Sequence, residues 1–172
     1  MKLLAKPFPL VTVMIFAVLS ALPWGGDENL RSILPMMPLA VVHFWSARRP
    51  NLMPAVGVLF LGVLVDLLSQ GPIGFYALLA LMTGLMTTQL AEMSIFDTRL
   101  GRLLLAIIVF GCVEFFAWGL ASLYVHTNQP LKPYVSTFMS LSIIYPFAAL
   151  MLGAADNLLS PRPQPSMFSG RG

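Results

Sequence analysis

Positive charge in this chain is confined to a few short segments, and that confinement leaves little choice of fold. All ten Lys and Arg residues lie between or beyond long apolar runs. The runs cover about 8–24, 31–47, 52–69, 75–93, 103–125 and 134–155, each close to the ~20 residues a helix needs to cross the hydrocarbon of a bilayer. Charged residues make up 10% of the 172, whereas a soluble domain carries about 25%. The chain therefore lacks the residues to build a polar shell. The sequence predicts an all-α, polytopic membrane protein: a bundle of six transmembrane helices over residues 1–158, followed by a flexible Pro-rich tail at 159–172.

The same charges orient the bundle. With six spans and a cytoplasmic N-terminus, eight cations (Lys2, Lys6, Arg48, Arg49, Arg99, Arg102, Arg162, Arg171) lie inside and two (Arg31, Lys132) lie outside. If the second run did not cross, the split would be 3 to 7. The excess of cations on the cytoplasmic side selects the first arrangement, with both termini inside. Lys2, Lys6 and the apolar stretch to Leu22 resemble a secretory signal, but the spans that follow make this a retained first helix. The second run is the shortest and carries Pro35 and Pro38, which are expected to kink it, together with His43. His43, beside Phe44 and Trp45, is expected at the membrane interface, and so is Trp24.

Between the third and fourth runs stands Gly71-Pro72-Ile73-Gly74, a turn short enough to make these two helices antiparallel neighbours. Asp66 lies about one helical turn before it. An aspartate in hydrocarbon is costly, so two compatible readings follow. Its carboxylate bonds to donors of the turn, Ser69 or Gln70 and so braces the hairpin, or it faces a cavity or a partner helix. Glu114 is deeper, near the middle of the fifth run, with no Lys or Arg at its level. It is held uncharged, hydrogen-bonded within the bundle, or paired with another protein. Glu92 and Asp156 fall at helix ends and are expected to be solvated. The small-residue pairs Ala80/Gly84, Ala117/Ala121 and Ala149/Gly153 permit close helix approach.

The residues give no ground for catalysis. There is no P-loop, no G-x-S-x-G and no H-E-x-x-H, and two histidines with one cysteine, Cys112, leave no metal site or disulfide framework. The basic residues do not cluster as nucleic acid requires. No cofactor is expected, and the lipid bilayer is the one partner the composition demands.

Gly62-x-x-x-Asp66-Leu67-Leu68-Ser69-x-Gly71-Pro72-x-Gly74, closing the third of six spans, resembles the signature stretch of the rod shape-determining MreD family. Gly62, Asp66, Leu67, Ser69 and Gly74 match it directly, whereas Gln70 stands where the family often has glycine. Leu22-Pro23-Trp24 after the first span, the proline-bearing second span and Glu114 in the fifth are also similar, over about residues 8 to 158. The resemblance implies a non-catalytic inner-membrane component of the bacterial cell-elongation machinery. Its implied partners are MreC, the MreB cytoskeleton, and through them a peptidoglycan polymerase and a transpeptidase. Gly62, Asp66, Ser69, Gly71, Pro72, Gly74 and Glu114 then become candidates for hairpin bracing or protein interaction. The substrate-binding subunits of energy-coupling-factor vitamin transporters share the six-span layout and are the alternative, with Asp66 and Gln70 lining a ligand pocket. Against it, the first span has no alanine-rich docking motif.

Overall fold

The computed structural model describes residues 7–22 and 34–159 of the chain. These form six α-helices joined by loops and short 3-10 turns, and no strand occurs among the described residues. The helices are α1 (Phe8–Ala21), α2 (Met37–Arg48), α3 (Ala55–Ser69), α4 (Phe75–Ala91), α5 (Arg99–Val125) and α6 (Lys132–Leu159). Trp24, Arg31 and the Pro-rich tail from Ser160 lie outside the described residues. By length and composition α5 and α6 can each cross a membrane, whereas α1, α3 and α4 are shorter apolar helices.

Local chemistry explains the boundaries. Pro35 lies in a 3-10 turn at Leu34–Met36 and Pro38 in the first turn of α2. A helix's first N–H groups have no intrahelical acceptor, so proline is harmless there. The expected kink is therefore absent: the prolines start α2 instead of bending it, and the helix is shorter than the run. α5 begins at Thr98, whose hydroxyl accepts a hydrogen bond from the Gly101 N–H at 2.9 Å, an N-cap. Pro146 lies inside α6 and offers no N–H to the carbonyl one turn back.

α2 is the centre of the bundle. It packs on α1, α4 and α6, while α1, α3, α4, α5 and α6 are neighbours in that order around it. Every residue from Pro38 to Ser46 is buried. His43 is only 1% exposed and faces the interior of the bundle. Its Nδ1 lies 2.8 Å from Thr87 Oγ1, and its ring stands edge-on to Phe110 and Tyr145. Trp45 Nε1 donates to Thr12 Oγ1 at 2.8 Å, and that hydroxyl donates to the Pro9 carbonyl. His43 and Trp45 thus each meet a threonine from a neighbouring helix, as buried polar groups require.

The outside is apolar. Met14 and Ile15 on α1, Phe60 on α3, Phe115 on α5, and Ile143 and Leu150 on α6 are all exposed. Contiguous apolar surface of this kind is not left to water. At one end the last turns of α2 and α6 are tied by an ion pair of Arg48 and Arg49 with Asp156. Asp156 is 7% exposed. The solvated helix-end residue expected there is instead a buried anion between two cations, whereas Glu92 is exposed. From this end α4 runs 17 residues and α5 runs 27.

Candidate functional site

Gly62 and Asp66 stand four residues apart on α3 and share one face, turned toward α4. A Cβ at Gly62 would lie 2.4 Å from the Ala77 Cα and 2.9 Å from both the Ala77 nitrogen and the Tyr76 carbonyl oxygen. Only glycine lets the two backbones touch here. That contact places the Asp66 carboxylate at the first turn of α4. Its Oδ2 accepts from the Gly74 N–H at 2.8 Å and from the Ala77 N–H at 3.3 Å, and its Oδ1 from the Tyr76 N–H at 2.7 Å.

The opening N–H groups of a helix have no partner within it, and its N-terminus carries positive potential. A carboxylate satisfies both. Gly74 occupies the N-cap position at φ 101° and has no side chain to cap with, so Asp66 of the preceding helix takes that role. The positive φ also explains why this position favours glycine. Gly71, by contrast, has no positive φ, and a Cβ there would meet nothing within 4 Å. The Pro72 carbonyl accepts from the Phe75 N–H at 3.1 Å. Ser69 ends α3, and the Asp66 bonds go to backbone donors, not to Ser69 or Gln70.

Gln70 takes the left-handed conformation, φ 53° and ψ 27°, which disfavours a side chain by about 1 kcal/mol. Gln70→Gly is therefore expected to stabilise the hairpin by about that amount, read as a raised melting temperature in detergent.

Glu114 contrasts with Asp66. It is 4% exposed, yet neither carboxylate oxygen has a hydrogen-bond partner. One acid is thus satisfied and the other is not. Beside Gly62, an apolar cleft is lined by Val13, Pro35, Leu39, Leu61, Val65 and Tyr76 without a charged side chain.

Sequence reasoning missed two parts of this architecture. One is the Arg48–Arg49–Asp156 cluster, whose members are distant in the chain. The other is the threonine set that receives α2. Thr83 and Thr87, four residues apart and both fully buried, were the available signal: two hydroxyls on one face of an apolar helix point to an interior seam. No group of three or more His, Cys, Asp or Glu placed to hold a metal occurs among the described residues.

Fold and site together define an all-helical protein with an apolar exterior, organised around a helical hairpin capped by its own buried aspartate. The chain belongs to the MreD family of rod shape-determining membrane proteins, whose family model matches residues 2–152. Comparison with curated proteins gave no match, and neither did comparison with solved structures.

Proposed function

We propose that this chain is a non-catalytic inner-membrane scaffold of the cell-elongation machinery, crossing the membrane six times with both termini in the cytoplasm. Family membership and the 8-to-2 placement of cations support this reading. In it, the α3–α4 hairpin faces outward and docks MreC, through MreC's span or the start of its periplasmic region. MreB and the polymerase and transpeptidase of lateral peptidoglycan synthesis join through that contact.

The observation that carries the proposal is the Asp66 cap. Three hydrogen bonds fix the hairpin internally, so its tip is preorganised, and it presents Ile73 at 76% and Leu67 at 60% exposure. A preformed apolar tip binds without an ordering cost. The transporter-subunit alternative gains nothing comparable: the Asp66 oxygens are already engaged by backbone, and the adjoining cleft has no charged lining.

Ile73→Glu tests the dock without touching the brace. Purified in mild detergent from its native membrane, the variant chain is expected to carry at least about tenfold less MreC, as for a binding residue worth more than ~1.4 kcal/mol, at unchanged membrane levels. Unchanged MreC recovery would remove the hairpin from the interface. Co-purification of the wild-type chain with a pair of transport ATPases and their coupling subunit would overturn the scaffold reading as a whole.

A further inference from the structure

The connection between α4 and α5 is short, tightly built and apolar on its outside. Ser94–Phe96 forms a 3-10 turn. The N–H groups of Phe96, Asp97 and Arg102 donate to the carbonyls of Met93, Ser94 and Thr98 at 3.0, 3.3 and 3.0 Å. Phe96 is buried. A Cβ at Gly101 would collide with the Ile95 carbonyl oxygen and lie 2.8 Å from the Phe96 Cα, so the connection and the start of α5 are in backbone contact. Fixed in this way, it holds Met93 and Ile95 outward, and Leu100 follows in α5; all three are exposed. Glu92 and Asp97 flank the apolar pair. Both are exposed, and neither forms an ion pair among the described residues. Arg102 is exposed in the first turn of α5.

The same end of the bundle carries the end of α6. Trp118 Nε1 donates to the Gln129 carbonyl at 2.9 Å, a Cβ at Gly111 would lie 3.6 Å from the Phe138 ring, and the rings of Phe110 and Tyr145 are 5.3 Å apart. The pairing of α5 with α6 thus runs antiparallel and sets Leu159 beside the start of α5. Residues 160–172 continue from there. Their sequence holds two cations, Arg162 and Arg171, no acid, and one apolar pair, Met167-Phe168.

Three large apolar side chains held out by a fixed turn are poorly covered by water. A phospholipid surface would meet Glu92 and Asp97 with phosphates of like charge. The segment after α6 offers opposite charge on either side of an apolar pair. Met167 is the eighth residue after Leu159, a reach of up to about 28 Å. Two helix spacings, from α6 past α5 to α4, take about 20 Å. Because the segment is tethered, its contact is intramolecular, and even a weak interface fills at high effective concentration. We propose that residues 160–172 dock on the α4–α5 connection. Met167 and Phe168 lie against Met93, Ile95 and Leu100, and Arg162 and Arg171 pair with Glu92 and Asp97. The contact shields this apolar surface from water and from other chains, and it is independent of any docking at the hairpin.

The test places a photoreactive side chain on the connection, Ile95→p-benzoylphenylalanine, in the full chain reconstituted in vesicles of phosphatidylethanolamine and phosphatidylglycerol. Cross-links are mapped by mass spectrometry. The principal product is expected to be an intrachain link to residues 160–172. Its yield should fall about threefold in the Glu92→Gln, Asp97→Asn double variant and also in high salt, as for exposed ion pairs. Met167→Ser with Phe168→Ser should lower it further, and neither pair of substitutions should change the melting temperature. Links to lipid alone would overturn the proposal in favour of the membrane surface, and links to a second chain in favour of self-association. An intrachain yield indifferent to both pairs of substitutions would show tethered proximity without docking and would overturn it as well, as would the absence of any link from residue 95.

Discussion

Asp66→Ala is expected to release the start of α4 and to cost about 3–5 kcal/mol, the range for removing one partner from a buried charged network. The wild-type carboxylate serves three N–H groups at 2.7–3.3 Å in a site where Asp66 is 1% exposed. Alanine leaves all three donors without their acceptor. The N-cap glycine cannot substitute. Asp66→Asn makes the sharper comparison. With its single oxygen at the Oδ2 position it keeps the bonds from Gly74 and Ala77, but its NH2 then faces the Tyr76 N–H, donor against donor. Its cost should fall between wild type and alanine. Hydrogen exchange at Gly74, Tyr76 and Ala77 reads the effect directly: fast in Asp66→Ala, fast only at Tyr76 in Asp66→Asn. Unchanged protection at these amides in Asp66→Ala would mean that α4 is not held by this carboxylate.

Gly62→Ala is expected to be nearly as damaging, although it adds one carbon. That carbon would stand 2.4 Å from the Ala77 Cα, and the obstacle is backbone, which cannot rotate away. α3 and α4 must separate, at about 3 kcal/mol for overpacking of this kind. Separation also draws Asp66 away from its donors, since both residues lie on one face of α3. The two substitutions should therefore be sub-additive: the double variant loses at least about 1 kcal/mol less than the sum of the singles. Melting temperatures of the four proteins in one detergent give this cycle. Additive losses would show that the close approach and the cap act separately.

Much of this was legible in the sequence, for a physical reason. Apolar runs bounded by Gly, Pro and charge can only be helices in hydrocarbon, and Gly62, Asp66 and Gly74 mark the hairpin because close approach, capping and positive φ each demand a specific residue type. What stayed hidden was the arrangement of the helices around one another. α2 reads as the weakest run, short and bearing prolines and a histidine, yet it is the central helix. Those same features suit a helix enclosed by protein, where threonines from α1 and α4 supply the hydrogen bonds that lipid would not. Periodicity along one helix carries no information about which neighbour supplies them. For the same reason Asp156 read as an end residue: its partners, Arg48 and Arg49, are close only after α6 packs on α2. Glu114 was legible as unusual, and its oxygens remain without partners in the folded chain.

The helices of the bundle differ in length. At 1.5 Å per residue, α3 and α4 are about 22 and 25 Å long, whereas α5 and α6 are about 40 Å. The hydrocarbon core of a bilayer is about 30 Å thick. In the six-span arrangement proposed above, the hairpin side is too short for the membrane and the α5–α6 side is long enough to tilt within it. Lipid beside the hairpin must thin to meet it, at fractions of a kcal/mol for each ångström of mismatch. A neighbour whose own helices are short can share that dimple, so the total area of distorted bilayer falls as the two approach. In that arrangement, short-spanning partners would be drawn toward the hairpin before any side chains touch.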